Sequence, residues 1–183
     1  LTVSNMGVPI DDNAALIPLT MAADVLDELR SKGLPVKMAY GPPEGVSRML
    51  VVSTRVPYPN FAKKLANAVW ASKAGILIGW LVVVDEDVDV TNMTEVIHAM
   101  CVKCHPYRGI HIFRDTPVYP LLNPFLSPEN RLIGSDGAYV LFDCTWPKEW
   151  PPEAIPKKAS FDVLWPRDIQ EKVLSNWESY GYK

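Results

Sequence analysis

The apolar positions of this chain alternate between two periods, and the points where the period switches divide it into strands and helices. Ala22, Val25, Leu26 and Leu29 fall at i, i+3, i+4 and i+7, which predicts one helix face over Leu19–Ser31. Lys32-Gly33 stops that helix and Pro35 lies just beyond. Ahead of it, Gly7, Pro9 and Pro18 read as breakers in an extended or looped lead. Val36–Tyr40 and Met49–Thr54 read as strands, separated by Gly41-Pro42-Pro43-Glu44-Gly45, where two prolines remove two backbone donors. Pro57 and Pro59 lead into a helix over Asn60–Ser72, with Phe61, Leu65, Ala68 and Val69 on its inner face. Ile76–Val84 is apolar on both alternating sets of positions, the pattern of a central parallel strand covered on both sides.

That run ends in Asp85-Glu86-Asp87-Val88-Asp89. Asn92 then reads as an N-cap, with Glu95 three residues on as a capping box. The helix it opens runs to Lys103 and carries Met93, Val96, Ile97, Met100, Cys101 and Cys104 on its apolar side. Gly109–Phe113 and Ala138–Phe142 read as further strands. The loop Arg114–Asp136 between them carries Pro117, Pro120, Pro124 and Pro128, and loops of this length in compact domains are commonly functional. A proline-rich stretch from Trp146 leads to a last helix opening at Pro166, with Ile169, Val173, Trp177 and Tyr180 as a stripe. Helices alternate with strands throughout. The expected class is therefore α/β: three layers, a mostly parallel sheet with helices on both faces, and a C-terminal helix, all in a single domain over 1–183.

Composition narrows the function classes. Of the 183 residues, 48% are hydrophobic and 21% charged, as in an ordinary globular protein. The net charge of −3 comes with no basic stripe to neutralise phosphates, so no nucleic-acid partner is expected. The longest apolar run, Gly75–Val84, is too short to span a bilayer. The start has no basic segment followed by a long apolar one, and three cysteines make no disulfide framework, so a reducing, cytoplasmic setting is expected. The chain opens on leucine in what reads as the middle of a strand or loop, so it is expected to be a piece of a longer protein.

Several short patterns carry chemistry elsewhere and are weak here. Cys101-Val102-Lys103-Cys104-His105 spells the covalent haem pattern, but both cysteines fall on the apolar side of a helix, where free buried cysteines are the rule. A zinc site from His98, Cys101, Cys104 and His105 lacks a second C-x-x-C, and His98 falls off the cysteine face. The acidic run Asp85, Glu86, Asp87 and Asp89 sits at a strand's carboxyl end, where α/β sheets gather ligands. It reads more simply as a solvated turn favouring the positive end of the next helix. Gly41–Gly45 lacks phosphate-loop spacing and is followed by a strand rather than a helix. No Gly-x-Ser-x-Gly is present, and no acid–base pair with a cofactor site can be assembled, so no catalytic residue is assigned.

Four segments in register add a resemblance. Leu81–Val90 is an apolar strand with an acidic turn, followed by Val96-Ile97-His98-Ala99 and Val102-Lys103-Cys104-His105-Pro106. Ile10–Ile17 is an acidic lead into a helix. Tyr119-Pro120-Leu121 is an aromatic-Pro-Leu loop, and Val140–Pro147 contains Phe142-Asp143-Cys144-Thr145 and then Pro147. Together, over nearly the whole chain, these resemble the C-terminal domain of UbiD-type decarboxylases, the aryl-acid branch in particular. His98 stands where that family usually has tryptophan, and Lys103 where it usually has arginine.

The resemblance implies a (de)carboxylase of aromatic or α,β-unsaturated carboxylic acids. In that family prenylated FMN forms an adduct with the substrate and takes up the developing negative charge, and manganese and potassium hold the flavin phosphate. It implies that the catalytic Arg and Glu residues lie in an N-terminal flavin-binding part absent here, so that this chain alone binds no cofactor. It also implies that Ile17, Leu77, Tyr119 and Leu121 line the substrate pocket opposite the flavin, and that Asp143 reaches the potassium site near the Lys103 backbone. The implied partners are an aromatic acid substrate, the flavin-binding domain or subunit, and further copies in a homo-oligomer. The alternative is a non-catalytic assembly subunit of a multi-subunit carboxylase of the same type.

Overall fold

Strand β3 (Trp80–Asp85) shows why the sheet must be clad on both sides. Leu81, Val82, Val83 and Val84 are all 0% exposed, and they divide by parity between two separate core clusters. Leu81 and Val83 join Leu50, Val52 and Leu141 on one face, while Val82 and Val84 join Val51 and Cys144 on the other. A computed structural model describes residues 12–119 and 125–182, which form two compact units, one ending at Lys148 and one beginning at Glu149.

In the first unit the sheet contains β1 (Val36–Tyr40), β2 (Met49–Thr54), β3, β4 (Ile110–Thr116) and β5 (Gly137–Cys144), in the order β1-β2-β3-β5-β4. The three inner strands run parallel and each edge strand is antiparallel to its neighbour, so the sheet as a whole is mixed. Helices α1 (Asp12–Ser31) and α2 (Phe61–Trp70) cover the first face through Met21, Ala22, Val25, Leu29, Phe61, Leu65 and Val69. Helix α3 (Met93–Val102) covers the second through Val96 and Ala99, with Val88, Val90 and Cys104 beside it. The expected α/β class with helices on both faces is the one observed.

Three elements differ from expectation for identifiable reasons. α1 begins seven residues earlier than predicted and contains Pro18. That proline is buried, and its ring occupies the space a Cβ would need at Gly41, so packing compensates for the lost backbone bond. Residues Gly75–Leu77 form a 3-10 turn instead of strand, because Gly79 and Trp80 both give their N–H groups to the Arg48 carbonyl at 3.0 and 2.9 Å and so start β3 late. The loop before β5 contains α4 (Pro128–Ile133), N-capped by Ser127 and ended by Gly134 at φ 65.

On α3, Asn92 accepts Thr94 N–H as the predicted cap, and Glu95 reaches back to the N–H of Asp89. Ile97 and Cys101, expected on the apolar face, are exposed. The second unit contains α5 (Phe161–Leu164) and α6 (Arg167–Ser175), which starts one residue after the expected Pro166. The Gln170 amide donates to the carbonyls of Asp162 and Trp165, closing the end of α5.

Leu81 touches core in a run of four residues buried on both faces of the strand, so Leu81→Ala is expected to cost about 3 kcal/mol through lost burial and the cavity left behind. Urea unfolding should show a lower midpoint at unchanged slope. A loss under about 1 kcal/mol would contradict the two-face burial of β3.

Candidate functional site

Strand register sorts the candidate residues between the two ends of the parallel strands. β1 enters at the carboxyl end, where Val36 pairs with Thr54, and leaves at the amino end, where Tyr40 pairs with Val51. Gly41 follows at that amino end and packs on Pro18, which brings the Ile17 turn of α1 there. Trp80, at the start of β3, pairs with Met49 and Val140, so the Leu77 turn opens at the same end. Thr116 pairs with Gly137 at the start of β5, and Pro117 accepts the Tyr139 hydroxyl at 2.5 Å, which puts the Tyr119 segment there too. Asp85 and Asp143, by contrast, lie toward the carboxyl end. Asp143 is in register with Val83, roughly 10 Å along the strand from Trp80 at about 3.3 Å per residue.

At the carboxyl end the charges are used on structure. The Lys103 ammonium donates to Asp85 at 2.8 Å and to Asp87 at 3.4 Å, and it lies 5.5 Å from the centre of the Trp146 ring. Asp85 also accepts Trp146 N–H at 3.2 Å, so one carboxylate ties β3, the end of α3 and the chain leaving β5. Burial raises the Asp85 pKa, and the Lys103 hydrogen bond and charge and the Trp146 N–H oppose the rise. Asp143 Oδ1 accepts the Thr145 N–H and hydroxyl at 3.2 and 2.7 Å, a local turn. Asp89 does the same for Thr91. In the acidic run, Asp85 and Asp87 thus share the Lys103 ammonium and Asp89 closes a turn. Among the described residues no group of three or more His, Cys, Asp or Glu side chains could hold a metal ion.

The cysteine motif also resolves. Cys101 is exposed while Cys104 and Cys144 are buried, so Cys101 and Cys104 do not converge on a common ligand. Burial pushes the Cys104 thiol up, and it pushes the Cys144 thiol far above the ordinary range.

At the amino end the residues face outward or line the edge of the core. Ile17 is 40% and Tyr119 42% exposed, and Leu77 is half-buried against the first core cluster. Leu121 lies outside the described residues. The flanks of that loop are pinned: Val118 and Leu126 are buried with Tyr139, against Trp70 and Phe113. Trp70 stacks on Tyr139 at 5.0 Å and meets Phe113 edge-on at 4.8 Å.

One residue here has no counterpart among the candidates drawn from the sequence. Arg48 is 8% exposed, its Nη1 donates to the Leu77 carbonyl at 3.2 Å, and its guanidinium lies 5.8 Å from the centre of the Phe125 ring. Desolvation lowers its pKa, and the Tyr139 hydroxyl opposes that shift. The cue available in the sequence was a cation directly preceding a strand apolar on both faces.

Comparison with known proteins agrees with this architecture. The family model of the 3-octaprenyl-4-hydroxybenzoate carboxy-lyase C-terminal domain matches residues 14–144. The chain is 28% identical over 190 residues to pyrrole-2-carboxylic acid decarboxylase of Pseudomonas aeruginosa, and 26% identical over 191 residues to ferulic acid decarboxylase 1 of Saccharomyces cerevisiae. Each alignment covers 100% of this chain and 38% of the relative, so the chain spans well under half the length of these proteins. Among solved structures, vanillic acid decarboxylase of Sedimentibacter hydroxybenzoicus in its open form superposes with a TM-score of 0.68 at 24% identity, over 95% of this chain and 35% of that one. The UbiD-class enzyme HmfF of Pelotomaculum thermopropionicum, in complex with FMN, gives 0.63 at 23% identity, over 77% of this chain and 30% of that one. At these identities the two structures attest the fold.

Asp85 has a raised folded pKa, so the stability it adds is present below its unfolded pKa and is lost as pH rises through the folded one. Lys103 limits that loss. Lys103→Met is expected to destabilise by about 2 kcal/mol at neutral pH, less than for a fully buried pair. The deficit should shrink as acidification protonates Asp85, and chemical denaturation across pH reads it. An equal deficit at every pH would remove Asp85 from the account. Thiol titration should find one of the three cysteines, Cys101, reacting rapidly in the native protein and all three after denaturation. Rapid reaction of two or three would contradict the burial of Cys104 and Cys144.

Proposed function

The chain belongs to the 3-octaprenyl-4-hydroxybenzoate carboxy-lyase C-terminal domain family, and from that premise we propose that it is the substrate-side part of a longer UbiD-like (de)carboxylase. The reaction is removal of CO2 from aromatic or α,β-unsaturated carboxylic acids. Prenylated FMN, with manganese and potassium at its phosphate, is bound by a flavin-binding domain or subunit beyond these residues, and the assembly is a cytoplasmic homo-oligomer. The names of the relatives support the reaction class, since they act on pyrrole-2-carboxylic, ferulic and vanillic acids.

One observation carries the reading: the register gathers the Ile17 turn, the Leu77 turn and the Tyr119 segment at the same end of the sheet. There Leu77 is fixed from behind by its backbone, with its N–H on Ala74 and its carbonyl on Arg48. Ile17, Leu77, Tyr119 and Leu121 would form an apolar and aromatic wall that orients a flat ring and excludes water. The cofactor, when bound, supplies the electron sink, and this chain supplies the wall. Asp143 would contribute a contact to potassium, the other donors for the cations coming from the flavin-binding part.

A second reading, a non-catalytic assembly subunit, is favoured by the unit from Glu149. Its Trp165, Trp177, Tyr180 and Tyr182 are all exposed, an arrangement suited to docking.

Leu77→Trp in the intact flavin-loaded protein should shift preference between wide and narrow aryl acids by about tenfold or more, with flavin occupancy unchanged. Loss of flavin with the substitution, or an unchanged preference, would overturn the wall assignment.

A further inference from the structure

We propose that Arg48 is a positioning residue, a clamp that fixes the spacing between the Leu77 turn and the loop bearing Tyr119, and through that spacing sets which acids fit. The inference rests on the wall reading above for its consequence, and on geometry alone for the clamp.

Four observations converge on it. The guanidinium grips the Leu77 carbonyl on one side and lies against the Phe125 ring on the other, joining segments 48 residues apart in sequence through one planar group. Its seat lies directly over Gly79: a Cβ there would overlap the guanidinium and displace it from this position. Its backbone is committed as well, because the Arg48 carbonyl takes the N–H groups of both Gly79 and Trp80. The approach is strained, with Val46 at φ 41 and Ser47 at φ 67, two successive non-glycine residues in the left-handed region. A β-branched residue adopts that conformation only when its surroundings impose it, and the strained pair delivers the chain directly into the buried Arg48.

The partners the structure shows for the guanidinium are the Leu77 carbonyl and the Phe125 ring, with the Tyr139 hydroxyl close enough to favour its charge. A carbonyl and an aromatic face are soft partners, and both belong to segments that flank the proposed wall. An aliphatic side chain of similar volume would fill the core equally well. It would not hold two loops by one rigid fork.

The test uses the full-length, flavin-loaded protein with Arg48→Met, Arg48→Lys and Phe125→Ala. The last is an exposed ring whose removal spares the core. Val96→Ala, on the buried side of α3 against the opposite sheet face, is the control for lost stability. Hydrogen exchange reads the clamp without substrate. Amides of residues 118–119 and 125–127 should exchange about tenfold faster in Arg48→Met and Phe125→Ala, less so in Arg48→Lys, and at the unaltered rate in Val96→Ala. Turnover reads the consequence: the ratio of kcat/KM for a wide against a narrow aryl acid should change by about tenfold or more in Arg48→Met, mainly through KM, and stay constant in Val96→Ala. Unchanged loop exchange in both Arg48→Met and Phe125→Ala, or equal effects in Val96→Ala, overturns the clamp. Faster exchange in a protein whose unaltered form decarboxylates no acid leaves the clamp standing and refutes the proposed function instead.

Discussion

The first unit depends on the middle of β3 having no face in water. Four consecutive side chains, Leu81 to Val84, are wholly buried, and they alternate between two cores. Such a strand needs a neighbour on each edge and a helix layer on each face. β2 and β5 supply the edges in parallel, and parallel pairing requires crossover connections, which α2 and α3 provide. The strand must also end somewhere polar. Asp85 is that end, and its desolvation is tolerable because Lys103 and the Trp146 N–H meet it.

This division of labour leaves the two ends of the sheet unequal. The carboxyl end, where α/β folds commonly bind ligands, is taken up by caps, turns and the Lys103 ion pair. The amino end carries the features that do not maximise stability: a 3-10 turn where β-forming residues would extend a strand, half-exposed apolar side chains, a buried arginine and a strained approach to it. Departures from local consistency of this kind collect where a protein does its work.

Much of the architecture was legible because local signals and tertiary demands agree. β1 and β2 begin and end where the pattern predicts, since a turn rich in proline and glycine separates two short apolar runs. Asn92 caps α3 as its residue type and position require. The failures are cases where a distant partner decides. Pro18 reads as a breaker until Gly41 is known to make room for its ring. Ile76-Leu77-Ile78 reads as strand until the Arg48 carbonyl is known to take the Gly79 and Trp80 N–H groups and start β3 at Trp80. Ser127-Pro128 and Gly134 carried a readable helix signal inside a segment that looked like loop. Strand direction at the edges has no local signature. The candidate wall residues rest on resemblance alone, because nothing in Leu77 or Tyr119 by itself tells pocket from core. Arg48 offered only its place directly before β2 as a cue, its partners lying 29 and 77 positions away.

The most direct measurement is a crystal structure of the intact protein with flavin and an aryl carboxylic acid bound, read for the groups that touch the acid's ring. This account predicts Leu77 and Tyr119 in van der Waals contact with the ring, on the side away from the flavin, at the amino end of β3. A ring bound at the carboxyl end, against Asp85 and Lys103, would contradict it.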